Sequence, residues 1–221
     1  MQKAIIFGAS GLTGSGLLQI LCDDNYYTEV ICFVRKQIHV INGKQVNVIT
    51  DFTDLDQYAN MFNGADVYCC LGTTNKQVNN NKDAYREADL FRPMRIAMLL
   101  KQNGGKQLLI ISAMGANAKS KIFYNKLKGE LQDKLMAMQL PGLHIFQPSL
   151  LLGNRQEVRN AERFGQFVMT SIKPLLLGQL KKYRAIKAYD VSLAMFIIAR
   201  KNIIGNHIYT SDIIQQIADA R

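Results

Sequence analysis

The twelve residues KAIIFGASGLTG, 3–14, decide how the rest of the chain is read. KAIIF is a short apolar run of branched and aromatic residues, the pattern of a strand buried on both faces of a parallel sheet. It stops at Gly8. Gly11 and Gly14 follow at intervals of three, at the start of an expected helix from Leu12 to Cys22. Glycine lets a backbone turn sharply and approach a phosphate closely, and the amides of a helix N-terminus meet the negative charge. The spacing is not GxGxxG, and a glycine triplet alone could be only a tight strand-to-helix turn. Its position after a first strand makes Gly8, Ser10, Gly11, Leu12, Thr13 and Gly14 candidate contacts for a dinucleotide pyrophosphate.

Further apolar runs recur outward from this turn: EVICFV before Arg35, QVNVIT before Asp51, ADVYCCLG ending at Gly72, QLLIIS ending at Ser112, and LHIFQP ending at Pro148. Between them lie a segment that Thr53 is expected to cap, with Asp56 three places on, an Asn-rich loop from Asn75 to Lys82, and amphipathic stretches from Tyr85 to Gln102 and around Tyr124. Strands alternating with helices give an α/β chain built on a doubly wound parallel sheet. With 221 residues, 48% hydrophobic, the chain reads as a single domain over 1–221. The region 149–189 is expected to form a small C-terminal cap on the substrate side. Beyond it, Val191, Ala194, Met195 and Ile198 fall on one face of a helix from Asp190 to Arg200.

Composition narrows the function classes. Apolar runs fall far short of the roughly 20 residues a membrane helix needs, so no span is expected. The N-terminus has no secretory cleavage pattern, which gives a cytoplasmic expectation. Cys22, Cys32, Cys69 and Cys70 form no CxxC and read as buried reduced thiols, and His39, His144 and His207 are too scattered to read as metal ligands. The net charge of +10 attracts phosphates, but it is spread along the chain with no long basic block, so nucleic acid is not the expected partner. The stretch from Lys173 to Lys187 carries five cations among apolar residues. It reads first as a solvated helix face, with an acidic substrate, a membrane face or a partner as alternatives.

NAD-binding chains usually place an acid about 20 residues beyond the glycines to hold the ribose hydroxyls. Here Arg35 and Lys36 stand in that place, which favours NADP over NAD because a guanidinium and an ammonium suit a ribose phosphate. Asp51 is a candidate acceptor for the adenine amino group with Phe52 packing alongside, although a lone acid is more often a turn cap. Gly72, Thr73 and Thr74 close the fourth strand at the end of the sheet where ligands bind, and Leu71, Gly72 and Thr73 are candidate cofactor contacts.

Near the middle, SAMGANAKSKIFYNKLKGE places Ser112 at a strand end, Tyr124 twelve residues on, and Lys128 four beyond that. Tyr124 and Lys128 share a helix face, and a free phenol with a pKa of about 10 needs a nearby cation to act at neutral pH. As an isolated pair they would be a packed ring and a snorkelling lysine. Together with GASGLTG they resemble the atypical, extended-like short-chain dehydrogenase/reductase family. DVYCCLGTT, FYNKLKGE and LLGNRQEVR are similar to its branch of Tat-interacting oxidoreductase-like proteins.

The resemblance implies a Rossmann fold and a nicotinamide cofactor. It also implies Tyr124 as general acid/base, Lys128 on the nicotinamide ribose and Ser112 on the substrate oxygen. Ser120 is a rival serine in a polar loop. Asp89 stands near where many relatives carry an asparagine for proton relay. Pro148 and Ser149 correspond to a turn beside the nicotinamide, with backbone groups of Leu150 and Leu151 near the carboxamide. Arg155, Gln156, Glu157 and Arg159 read first as an ion-pair network anchoring the cap, with substrate binding as the alternative. The expected function is an oxidoreductase acting on a small carbonyl or alcohol. The alternatives are an NADP(H)-binding redox-sensing scaffold without turnover and, ranked lower, sugar-nucleotide epimerase or dehydratase chemistry. A protein partner or a homodimer stays open.

Overall fold

A computed structural model of the protein describes residues 2–74, 77–153 and 183–220. In β1 (Lys3–Phe7), Ile5 and Phe7 face one side of the sheet and Ala4 and Ile6 the other, and all four are fully buried. The chain then passes through α1 (Leu12–Asp23), β2 (Glu29–Val34) and β3 (Gln45–Ile49). A 3-10 helix (Asp56–Phe62) leads to β4 (Ala65–Cys69). Thr53 does not cap it, contrary to the sequence expectation; the helix starts later, and Thr53 instead donates twice to Asp51.

Asn81 caps α2 (Lys82–Arg86) by accepting from the amides of Asp83 and Ala84. A π-helical stretch (Glu87–Phe91) and α3 (Arg92–Gln102) continue the same rod. Pro93 explains the irregularity: it has no N–H to give the carbonyl of residue 89, and the Arg92 amide reaches back to the Glu87 carbonyl. Then come β5 (Gln107–Ile111), α4 (Phe123–Ala137), β6 (Gly142–Gln147), the short β7 (Leu151–Leu152) and β8 (Ile186–Lys187), α5 (Ala188–Arg200), β9 (Gly205–Thr210) and α6 (Ser211–Asp219).

Seven strands pair in the order β3-β2-β1-β4-β5-β6-β9, every pair parallel, and β7 pairs with β8 in a separate ribbon. The chain winds outward from β1 in both directions, a Rossmann-type arrangement. One core lies between the sheet and the 3-10 helix, α3 and α4, built on Phe7, Phe33, Phe62, Leu100, Leu127 and Leu131. The other, under α1, α5 and α6, is built on Leu17, Leu21, Tyr68, Phe146, Met195 and Ile214. The expected helix face of Val191, Ala194, Met195 and Ile198 is buried here.

Order reversal at β1 and β4 opens a crevice at the carboxyl ends of these strands, where the glycine turn and the loop after β4 meet. The cap expected over 149–189 falls largely on residues outside the described ones, as do Arg155, Gln156, Glu157, Arg159 and most of the basic stretch from Lys173.

Candidate active site

The phosphate end is made of backbone. Gly8 has φ 86°, a left-handed conformation that side-chain-bearing residues rarely adopt, and a Cβ there would lie 2.7 Å from the Cys70 carbonyl oxygen. A Cβ on Gly14 would stand 2.0 Å from the Gly8 carbonyl oxygen. The Gly11 amide closes the turn on that same oxygen at 2.9 Å. Gly11 also caps α1, with no side chain bonding the helix end and no acid in its first turn. Ser10 is exposed, Leu12 half-buried, and Thr13 buried with its carbonyl accepting from Ser192 at 2.8 Å. A helix start without a competing carboxylate fits an anion, and this is the fit that a dinucleotide pyrophosphate requires.

Along the crevice, Arg35 and Lys36 are exposed directly after β2. Asp51 accepts from the Thr53 hydroxyl at 2.6 Å and the Thr53 amide at 2.9 Å, and these bonds hold its carboxyl below the ordinary range. The adenine role given to the Phe52 ring needs correction. At φ 70° the chain turns that ring into the core, 4% exposed, against Phe7 and beneath the Arg92 guanidinium.

The chemistry end is made of side chains. The π-helical stretch aims Asp89 inward, where Oδ1 accepts from the Thr73 amide at 2.7 Å and Oδ2 pairs with Lys128 Nζ at 2.9 Å. Both residues are almost fully buried. Tyr85 donates to the Thr73 carbonyl at 3.1 Å, so the Leu71–Gly72–Thr73 loop is held on two sides. Burial pulls Lys128 toward neutrality, but attraction from Asp89 and then Tyr124 outweighs it and the ammonium is held above its ordinary range.

Tyr124 stands at the mouth, 38% exposed. Desolvation raises its phenol, Lys128 lowers it and Asp89 raises it again, with a net rise. The spacing argument expects Lys128 to ease ionisation of Tyr124. Here desolvation outweighs the lysine charge, and the Asp89 carboxylate adds to the rise.

Ser112 lies just past β5, 5% exposed, its amide bonded to the Phe146 carbonyl and its Oγ accepting from Gln132 Nε2 at 2.5 Å. Ser120 closes a turn by accepting from the Ile122 amide. After β6, the Pro148 carbonyl accepts from Met114, and Ser149 donates to the Arg184 carbonyl and accepts from Ser211. The Leu150 carbonyl and Leu151 are engaged by Ile186 in the β7–β8 ribbon, which removes part of the backbone expected to meet a carboxamide.

Sequence reasoning missed the Asp89–Lys128 pair and the Gln132–Ser112 bond. Two signals bear on them: Pro93 four residues after Asp89 marks a broken ladder, and Gln132 is the next position on the Tyr124, Lys128 face. His144 and His207 are less scattered than they read. They are register partners on β6 and β9 with rings stacked at 5.3 Å, and burial followed by His207 pushes His144 down to about 4. Among the described residues no cluster of ligands suited to a metal is found, and the four cysteines are unbridged.

Residues 8–140 match the NAD(P)H-binding family. Protein HTATIP2 of Rattus norvegicus is 34% identical over 165 residues, covering 73% of this chain and 67% of its own. Protein FMP52, mitochondrial, of Eremothecium gossypii is 27% identical over 191 residues, covering 86% and 83%. Among solved structures, MoeE5 in complex with UDP-glucuronic acid and NAD superposes with a TM-score of 0.71 at 14% identity, over 94% of this chain and 75% of that one. A likeness at this identity shows the fold. The cytoplasmic expectation is overturned by the FMP52 relatives, which are named mitochondrial. A missing secretory cleavage site bears on secretion alone. No described helix is long and apolar enough to cross a membrane.

Proposed function

Because this chain belongs to the NAD(P)H-binding family of Rossmann-type proteins, we propose that it is an oxidoreductase of the short-chain dehydrogenase type that interconverts a small carbonyl compound and its alcohol. The observation that carries this is the buried Lys128–Asp89 pair one helical turn below Tyr124, at the carboxyl end of the sheet. A bound NAD(P)H supplies the hydride that reaches the carbonyl carbon. Tyr124 gives its phenolic proton to the carbonyl oxygen, and the Ser112 hydroxyl holds that oxygen by a hydrogen bond. The Lys128 charge stabilises the phenolate left behind, which then regains a proton from water.

Gly8, Gly11 and Gly14 with the first turn of α1 would hold the pyrophosphate. The pair Arg35 and Lys36 favours NADP, because a guanidinium and an ammonium suit a ribose phosphate and stand where NAD binders usually carry an acid. A second reading, a dinucleotide-binding regulator without turnover, is favoured by one observation: the Lys128 ammonium that should serve Tyr124 is already paired with the Asp89 carboxylate at 2.9 Å.

Steady-state reduction of a panel of aldehydes, ketones and quinones with NADPH separates the two. Tyr124→Phe is expected to lose turnover by about 10²- to 10⁴-fold while binding NADPH as the wild type does. Unchanged turnover in that variant sinks the catalytic role, and tight NADPH binding with no turnover by the wild type supports the regulator.

A further inference from the structure

Gln132 follows Tyr124 and Lys128 at the same four-residue spacing on α4 and is 5% exposed. It stands between two partners. Its Oε1 accepts from Gln147 Nε2 at 2.9 Å, and its Nε2 donates to Ser112 Oγ at 2.5 Å. A carboxamide presents an acceptor at one end and donors at the other, so once Gln147 takes the oxygen only the nitrogen can face Ser112. A serine oxygen that accepts from an amide keeps its own O–H for another partner. Among the described residues no hydrogen-bond acceptor takes that proton.

We propose that Gln132 is a positioning residue that sets the direction of the Ser112 hydroxyl, so that Ser112 always offers a proton to the substrate oxygen. The chain Gln147 to Gln132 to Ser112 joins the end of β6, the catalytic face of α4 and the end of β5, and it fixes polarity before substrate arrives. This rests on the carbonyl reading above. A site with a preset donor favours an oxygen that gains negative charge as the reaction proceeds, as a carbonyl oxygen does, over a group that must itself donate.

The test uses phenanthrenequinone as the carbonyl probe, NADPH, and the full chain. Gln132→Glu replaces the donor by an acceptor, which draws the Ser112 proton inward. It is expected to lower kcat by about 10²-fold at pH 8 with little change in KM. As pH falls the introduced carboxyl takes up a proton, regains a donor and restores kcat, a recovery absent from the wild type. Gln132→Leu removes the donor without adding an acceptor and is expected to lose kcat with no acid recovery.

If both variants lose activity and melting temperature together with no recovery on acidification, Gln132 is structural and the proposal falls. If the wild type reduces no probe, the carbonyl reading fails instead. The inference is then decided by a neutron structure: the Ser112 hydrogen turned away from Gln132 upholds it, and a hydrogen on the line to Gln132 Oε1 overturns it.

Discussion

Asp89 and Asp66 are both buried carboxylates, 1% and 0% exposed, at opposite ends of one sheet. Asp89, near the carboxyl ends of the strands, faces an ammonium and a backbone amide. Asp66, near the amino ends, faces neutral donors: the Tyr27 hydroxyl at 2.8 Å and the Gln107 amide at 2.8 Å, with Tyr27 bonded in turn to Tyr68. Burial raises the Asp66 carboxyl despite these bonds and the pull of Lys106. A cation meets the carboxylate at the carboxyl ends of the strands, and only neutral hydrogen-bond donors meet the one that ties strands together at the amino ends. Pairing, not depth, separates the two carboxylates.

Replacing each acid by its amide tests that contrast. Asp89→Asn leaves Lys128 buried without a counter-charge, and equilibrium denaturation is expected to show a loss of about 3–5 kcal/mol. A neutral result there would mean that the pair is not held in the dry interior. Arg35→Ala, at the same end but on the surface, is expected to weaken NADPH binding about tenfold and leave NADH unchanged, because one charge-assisted contact is lost. Equal effects on both cofactors would remove the case for NADP.

Asp66→Asn should matter least, within about 1 kcal/mol at neutral pH. The amide can accept from Gln107 and donate to Tyr27, whose proton turns to Tyr68. The sign with pH follows from the raised carboxyl. Its protonated form persists longer in the folded state, so the wild type loses stability as pH rises from about 3.9 through the folded value. Asp66→Asn should lack that slope, and a slope retained in the variant would place its origin elsewhere.

The same contrast governs what could be read in advance. Five strands were legible because each is a run of mainly apolar residues buried on both faces, the edge strand QVNVI showed through its polar–apolar alternation, and GASGLTG was legible because its chemistry is local backbone. β9 was not read as a strand: GNHIYT is half polar and lies on an edge, so neither a continuous run nor clean alternation marks it. Tyr124 and Lys128 showed through helical spacing, whereas Asp89 and Gln132 acquire their roles from residues 39 and 20 positions away along the chain. Phe52 misled for a related reason: its neighbour Asp51 marks the crevice, but a positive φ sends the ring the other way.

The central claim is that Tyr124, with Lys128 behind it, delivers a proton to an oxygen as hydride reaches its carbon. NADPH carrying deuterium on the transferable position of the nicotinamide tests this most directly when it is turned over with the carbonyl panel and the products are analysed by mass spectrometry. The account predicts deuterium on the carbinol carbon with wild-type protein and almost none with Tyr124→Phe, at equal NADPH occupancy. Equal transfer by both proteins, or none by a wild type saturated with NADPH, would contradict it.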